Sequence, residues 1–202
     1  MLTTKINIKM KTTLQIIITT AMILSAGYYA KGQSGIYMNL PDYKNNKLAY
    51  ESDCNTEKSK IRLHDFFYNA PTVTVIHGGK KYVLNKNEVY GFRDCDNEVY
   101  RFFKNEVYRL AEAGEIYIYI YTQTQNITQT KGYKVVNVYY FSVTVDGNVV
   151  PLNMGNLKNA YRNNDKFLDM LDTHFGNSEV SEYDPIHKTY KINYLYKKSI
   201  NK

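Results

Sequence analysis

Residues 116–121 read Ile-Tyr-Ile-Tyr-Ile-Tyr, and this alternation decides how the centre of the chain folds. Successive side chains of a β-strand point to opposite faces, so the three isoleucines would share one face and the three tyrosines the other. Isoleucine is the natural core residue. The row Tyr117, Tyr119 and Tyr121 is then either half-buried against a second layer, which tyrosine tolerates well, or a set of rings that could bind a sugar or another planar ligand.

Turn signals around this strand predict a series of β-hairpins from Gly35 to Pro151. Gly78-Gly79 supplies the positive φ angles that a two-residue hairpin requires, and Asp146-Gly147 is the strongest single turn signal in the chain. Two further hairpins are predicted around residues 94–97 and 113–114. Sequential hairpins imply an antiparallel β-meander, folded as a sandwich, a roll or a barrel.

The phrase Asn-Glu-Val-Tyr occurs three times, beginning at Asn87, Asn97 and Asn105. These short offsets fit consecutive strands and turns and lie far below the period of solenoid repeats. We interpret the phrase as a recurrent strand entry rather than a binding array.

The hydrophobic period changes after Pro151, which predicts an α+β protein with C-terminal helices following the meander. A helix capped by Asn163-Asn164 and stopped by Gly176 would bury one face, formed by Phe167, Leu168, Leu171 and Phe175. A shorter helix is expected around residues 154–161. We therefore divide the chain into an antiparallel β domain at 33–151 and a helical segment at 152–202 packed on it.

The last segment is ambiguous between helix and strand. Residues 190–196 alternate as a strand would, yet Asp184-Pro185 is a good start for a helix, which we favour. A helix from that point would place Lys188, Lys191, Lys198 and Lys202 in one stripe. Such a stripe is typical of a solvated face, and contact with an anionic envelope or polymer surface is the alternative.

The N-terminus has the pattern of a secretory signal peptide. A basic segment, beginning at Met1 or at Met10, precedes an apolar run from Leu14 to Ala26 that is too short for a membrane span. Ala30 and Gly32 fit a cleavage site, so residues 1–32 are predicted to be removed. The mature chain would have no membrane span and would work in the periplasm or outside the cell.

Cleavage changes the meaning of the formal charge of +7. Losing four lysines from the 26 basic residues leaves 22 against 19 acidic residues, a net charge of +3. Five of these basic residues follow Asp184, the last acidic residue, so the body of the domain is near neutral. Nucleic-acid binding usually needs a clustered basic face, and it is not expected here.

Both cysteines, Cys54 and Cys95, remain after cleavage. In an oxidising compartment an even pair favours a disulfide, whereas two free thiols, or a metal-binding or catalytic thiol, are the alternatives.

Motifs of known chemistry are missing from the sequence. The histidines at 64, 77, 174 and 187 stand apart and form no metal-binding spacing, and the common nucleophile and phosphate-loop motifs do not occur. Asp94, Asp96 and Glu98 could collect a calcium ion, but without the rest of a calcium loop a capped turn is favoured. We therefore expect no cofactor and no metal.

One resemblance joins short motifs spread over most of the mature chain. They are a signal peptide ending in Gly-Gln, Gly35-Ile36-Tyr37 with Asp42-Tyr43, residues 90–96 (Tyr-Gly-Phe-Arg-Asp-Cys-Asp), and residues 139–142 (Tyr-Tyr-Phe-Ser). This layout resembles that of exported proteins of Gram-negative bacteria with no assigned activity, and it implies the periplasm or the cell exterior.

Three functions remain open at this level. The favoured one is a non-enzymatic exported domain with an envelope or partner-interaction role. The alternatives are a small-ligand or glycan-binding module using tyrosine faces, and a hydrolase using carboxylates or Cys and His, which needs two titratable groups close together in a cleft.

Overall fold

Antiparallel strands dominate the computed structural model, which describes residues 32–56, 60–63, 70–127, 132–176 and 179–201. The predicted signal peptide lies outside these residues, apart from Gly32. The strands are β1 (Gln33–Tyr37), β2 (Ala49–Asp53), β3 (Lys60–Arg62), β4 (Thr72–His77), β5 (Lys80–Asn85), β6 (Gly91–Arg93), β7 (Val99–Phe103), β8 (Glu106–Ala113), β9 (Tyr117–Ile127), β10 (Gly132–Ser142), β11 (Val150–Pro151), β12 (Tyr183–Asp184) and β13 (Thr189–Tyr190). The helices are α1 (Leu40–Lys44), α2 (Met154–Ala160), α3 (Asp165–Phe175) and α4 (Lys191–Ile200).

Eight of the strands form one sheet in the order β11-β10-β9-β8-β7-β6-β1-β2. Strands β6 to β11 pair with their neighbours in sequence, which is the predicted meander. Together with the C-terminal helices this confirms the α+β class. The smaller sheets are β3-β4-β5 and the pair β12-β13.

Two apolar layers cover the large sheet. The β3-β4-β5 sheet contributes Val73 and Val75 to a core that includes Ile36, Phe92 and Phe102 of the large sheet. The C-terminal helices form the second layer, over a core that includes Ile116, Ile118 and Phe141. Ile116 and Ile118 therefore pack beneath the helices, as their hydrophobicity predicts.

Helix α3 forms where the sequence predicts it. The Asn164 side chain accepts the backbone N–H of Phe167 at 3.1 Å, and Gly176 ends the helix with φ 48°. Phe167, Leu171 and Phe175 are buried in the core. Helix α2 likewise begins at an asparagine cap, in which Asn153 accepts the N–H of Asn156.

The hairpin at Gly78-Gly79 is confirmed, and the strands on either side of Asp146-Gly147 also pair antiparallel, but not through a two-residue turn. His77 pairs directly with Lys80, as a two-residue turn requires. Asp146-Gly147 instead lies within a seven-residue loop between β10 and β11, where the N–H of Gly147 donates to the carbonyl of Thr144. The loop is longer than predicted because side chains of the sheet bind it: Arg101 donates to the carbonyl of Gly147 at 2.8 Å.

The last segment is a helix, but it does not begin at Asp184-Pro185. Asp184 lies in strand β12, and a turn leads from there to β13, after which α4 begins at Lys191. The turn is stabilised by the Asp184 carboxylate, which accepts the backbone N–H groups of Ile186 and His187. Lys188 is therefore outside the helix and Lys191 pairs with Glu182 at 2.9 Å, so the predicted lysine stripe does not form.

The Asn-Glu-Val-Tyr phrases open strands in two of three cases. The copies at 97–100 and 105–108 each span a turn and the first residues of β7 or β8, whereas the copy at 87–90 ends just before β6. Asn97 and Asn105 both adopt positive φ angles, at 62° and 66°. Asparagine tolerates this conformation better than most residues, which explains its place at the start of each of these two phrases.

Candidate binding site at an open edge of the large sheet

Strands β9 and β10 are the longest in the sheet and extend beyond their neighbours. They pair with each other along their full length. The ladder from β8 ends at Ile120, and β11 pairs only with Tyr140 and Phe141. Residues 121–127 and 132–138 therefore form a two-stranded ribbon, here called the arm, with no third strand beside it among the described residues.

Backbone hydrogen bonds show which residues of β10 face its open edge. The N–H and C=O of one strand residue point to the same side, and that side alternates along the strand. The carbonyl of Tyr139 accepts the N–H of Leu152, which follows β11. By alternation Tyr133, Val135 and Asn137 direct their backbone groups to this side, where the described residues offer no backbone partner. The backbone groups of the residues between them point toward β9.

The side chains of the same residues are unusually open for apolar groups. Tyr133 is 77% exposed and Val135 is 65% exposed, and both lie on one face of β10. On the other edge of the arm, by the same alternation, Thr122 and Thr124 direct their backbone groups outward. The β10 edge is thus the apolar edge of the arm and the β9 edge is the polar one.

A groove continues from the open edge of β10. It encloses about 400 Å³ and is lined on one side by β10 residues 137–139 and on the other by Pro151, Leu152 and Met154, with Val180 and Glu179 closing it. An adjoining hollow of about 540 Å³ is bounded by Tyr139, Glu179, Ser181 and Glu182. The volumes fall in the range of ligand-binding clefts.

The tyrosine row of β9 is largely packed. Tyr119 is 1% exposed, and its hydroxyl lies 3.2 Å from both Arg101 Nη1 and Ser142 Oγ. Tyr117 and Tyr121 are half-buried. Tyr119 thus offers little ring surface to a ligand, and a binding role for Tyr117, Tyr119 and Tyr121 stays a prediction.

An aromatic cluster surrounds Arg101 on this face. Its guanidinium lies 5.6 to 5.8 Å from the ring centres of Tyr90, Phe103 and Tyr119. Burial raises the pKa of Tyr90, whose hydroxyl donates to the carbonyl of Val145, and it raises the pKa of the stacked Tyr43 to about 12. These hydroxyls stay protonated at neutral pH, so the cluster holds the β10–β11 loop through neutral donors and one buried cation.

His187 and Asp184 form a close pair of titratable groups, as the hydrolase alternative requires. His187 Nδ1 lies 2.7 Å from Asp184 Oδ2, beside a cleft of about 560 Å³ that includes Glu112, Glu115 and Lys197. Hydrogen bonds from His187 and from nearby backbone N–H groups lower the pKa of the Asp184 carboxyl. The hydroxyl of Thr189, which lines the cleft, donates to Glu112.

The carboxylates at residues 94–98 serve the β6–β7 turn. Asp94 Oδ1 accepts the N–H groups of Asp96 and Glu98, and Glu98 pairs with Arg109 at 2.8 Å. Across the described part of the chain, no three His, Cys, Asp or Glu side chains come together as metal ligands would. The described helices are also too short or too polar to cross a membrane.

Cys54 and Cys95 are joined by a disulfide, with their Cα atoms 5.6 Å apart. The bond links the residue after β2 to the turn between β6 and β7. It therefore ties the edge strand β2 to the middle of the sheet.

The chain matches no model of a known protein family, no curated protein and no solved structure.

The open edge was not foreseen from the sequence, because it depends on how far β8 and β11 extend beside the arm. One signal was present. Residues 122–125 read Thr-Gln-Thr-Gln. This part of the strand is polar on both faces and supplies no core residue, which indicates that the strand extends beyond the body of the domain.

Proposed function

We propose that this protein is an exported, non-enzymatic binding domain that recognises an extended segment of a partner protein by adding it as a strand to the open edge of β10. The observation that carries the proposal is the line of outward backbone donors and acceptors at Tyr133, Val135 and Asn137. Main-chain bonding to such an edge is an established mode of peptide recognition.

The composition of the edge supports the proposal. Natural sheets usually protect long exposed edges with proline, bulges or inward charges, because an open edge pairs with other chains. On the outward face this edge presents Tyr133 and Val135, both exposed and apolar. Exposed apolar residues beside free backbone groups favour a partner strand with alternating apolar side chains.

The proposed location is the periplasm or the cell exterior. The signal-like N-terminus, the disulfide and the resemblance to exported Gram-negative proteins support it. The partner would then be a protein of the cell envelope or its surroundings.

A pair of proline variants tests the edge directly. Val135→Pro removes an N–H from the β10 edge, and the matched control Thr124→Pro removes one from the β9 edge of the same arm. Proline is tolerated where a strand N–H faces outward, so both variants should fold with similar unfolding midpoints. Proteins captured from an envelope extract by the immobilised parent should be retained by T124P and reduced at least about tenfold on V135P, a change of about 1.4 kcal/mol.

Amide hydrogen exchange supplies the second readout. Partner binding should slow exchange at Tyr133, Val135 and Asn137 and leave Thr122 and Thr124 unchanged. Equal capture by both proline variants, or protection confined to the β9 edge, would refute strand addition at β10.

A further inference from the structure

The groove beside the open edge sets the direction of the incoming strand. Every ladder in the described sheets is antiparallel, including the short one between β10 and β11. β11 separates from β10 at Leu152, where the chain turns into α2. A strand added next to β10 therefore continues along the line of β11. Its N-terminal end lies at Asn137, beside the groove, and its C-terminal end lies at Tyr133.

The near part of the groove is apolar. Its lining includes Tyr139 on the β10 side, Leu152 and Met154, and the buried side chain of Val180. The groove, of about 400 Å³, has room for a large aliphatic side chain. An added residue opposite Asn137 would extend its side chain along this lining.

The far part of the groove is acidic. Glu179 and Glu182 line the hollow that adjoins Tyr139. Lys191 neutralises Glu182 at 2.9 Å. Glu179 accepts only the Ser181 hydroxyl, at 3.4 Å, and pairs with no cation among the described residues. An uncompensated carboxylate at the end of an apolar groove favours a basic group on the occupant.

We propose that the groove selects partner segments in which a lysine or arginine precedes a large aliphatic residue at the N-terminal end of the added strand. The aliphatic side chain, opposite Asn137, packs along Leu152 and Met154. Because Leu152 already occupies the edge of β10 at Tyr139, the residues before it leave the line of the strand and carry the basic group along the groove toward Glu179. This inference rests on the proposed function, since it specifies the occupant of the same edge.

Synthetic peptides test the selection. Three N-acetylated, fluorescein-labelled peptides share the sequence X-Thr-Leu-Thr-Val-Thr-Val, where X is arginine, serine or glutamate, and acetylation removes the terminal amino charge. Binding to the intact disulfide-bonded protein is measured by fluorescence anisotropy. The arginine peptide should bind at least about tenfold more tightly than the glutamate peptide, with the serine peptide between them, and its advantage should shrink as salt is raised.

Variants separate the groove from the edge. Glu179→Lys should reverse the order of the arginine and glutamate peptides, and the control Glu115→Lys, which adds the same charge in a different cleft, should preserve it. V135P should weaken all three peptides equally. If V135P weakens binding but the three peptides bind alike, strand addition stands and the selection is refuted. If peptides bind and V135P has no effect, the proposed function itself is refuted, and failure of every peptide to bind overturns the selection.

Discussion

At the scale of single residues, Gly91 shows how a close strand contact constrains the sequence. A Cβ atom at Gly91 would lie 2.0 Å from the backbone carbonyl oxygen of Tyr100 on the neighbouring strand, and backbone cannot move aside cheaply. We expect Gly91→Ala to lower the free energy of unfolding by about 3 kcal/mol or more, as severe overpacking does. Urea unfolding of the purified protein measures this.

Gly79→Ala is the matched control for that substitution. Gly79 has φ 74°, but no atom lies near the position of its added Cβ. Only backbone strain opposes alanine there, so a loss of about 1 kcal/mol is expected. A smaller effect at Gly91 than at Gly79 would contradict the contact. The role of Gly79 can be predicted from the sequence, because a turn depends on adjacent residues. The role of Gly91 cannot, because it comes from a contact with a neighbouring strand, at a residue nine positions away.

At the scale of elements, α4 is positioned by one buried asparagine. Asn193 Oδ1 accepts the N–H of Ile116, while Nδ2 donates to the carbonyl of Ile116 and to Glu112. Asn193→Ala would leave both backbone groups of Ile116 unpaired in the core, so a loss of about 2 to 3 kcal/mol is expected from chemical unfolding. Lys197→Ala, exposed on the same helix, should change stability by less than about 0.5 kcal/mol. Equal effects of the two substitutions would show that the network contributes nothing.

The same network explains which helices could be predicted. Helix α3 has its cap, apolar face and stop within one short segment, so its sequence is sufficient. Helix α4 has no side-chain cap, and the N–H of Tyr190, at its start, is bound by Glu112 from strand β8. That partner is distant in sequence, so the local signal at Asp184-Pro185 indicated a start six residues too early. The open edge of β10 was missed for a related reason, because it depends on the lengths of neighbouring strands.

At the scale of the whole molecule, packing on the second face of the large sheet explains a group of the tyrosines, namely Tyr108, Tyr117, Tyr119, Tyr121 and Tyr140. Strand alternation separated isoleucine from tyrosine correctly, and the isoleucine side lies under the helices. The tyrosine side is covered as well, since Tyr119, Tyr108 and Val149 form a buried cluster there. The composition predicts an aromatic surface. It does not predict that this surface is covered, because the cover depends on the β10–β11 loop, which Arg101 holds in place.

The disulfide acts on the whole molecule by restricting the unfolded chain. Cys54 and Cys95 are 41 residues apart, and closing a loop of that size stabilises by about 4 kcal/mol in the chain-entropy model. We expect the Cys54→Ser/Cys95→Ser variant to lose about that much in guanidinium unfolding, and reductant to lower the parent protein's stability to the same level. Reductant should leave the double variant unchanged, which separates loss of the bond from other effects. The bond ties β2 to the β6–β7 turn, far from the β10 edge. Under conditions where the double variant remains folded, it should therefore still bind peptides at that edge. Loss of peptide binding by the folded variant would show that the β10 edge depends on the disulfide.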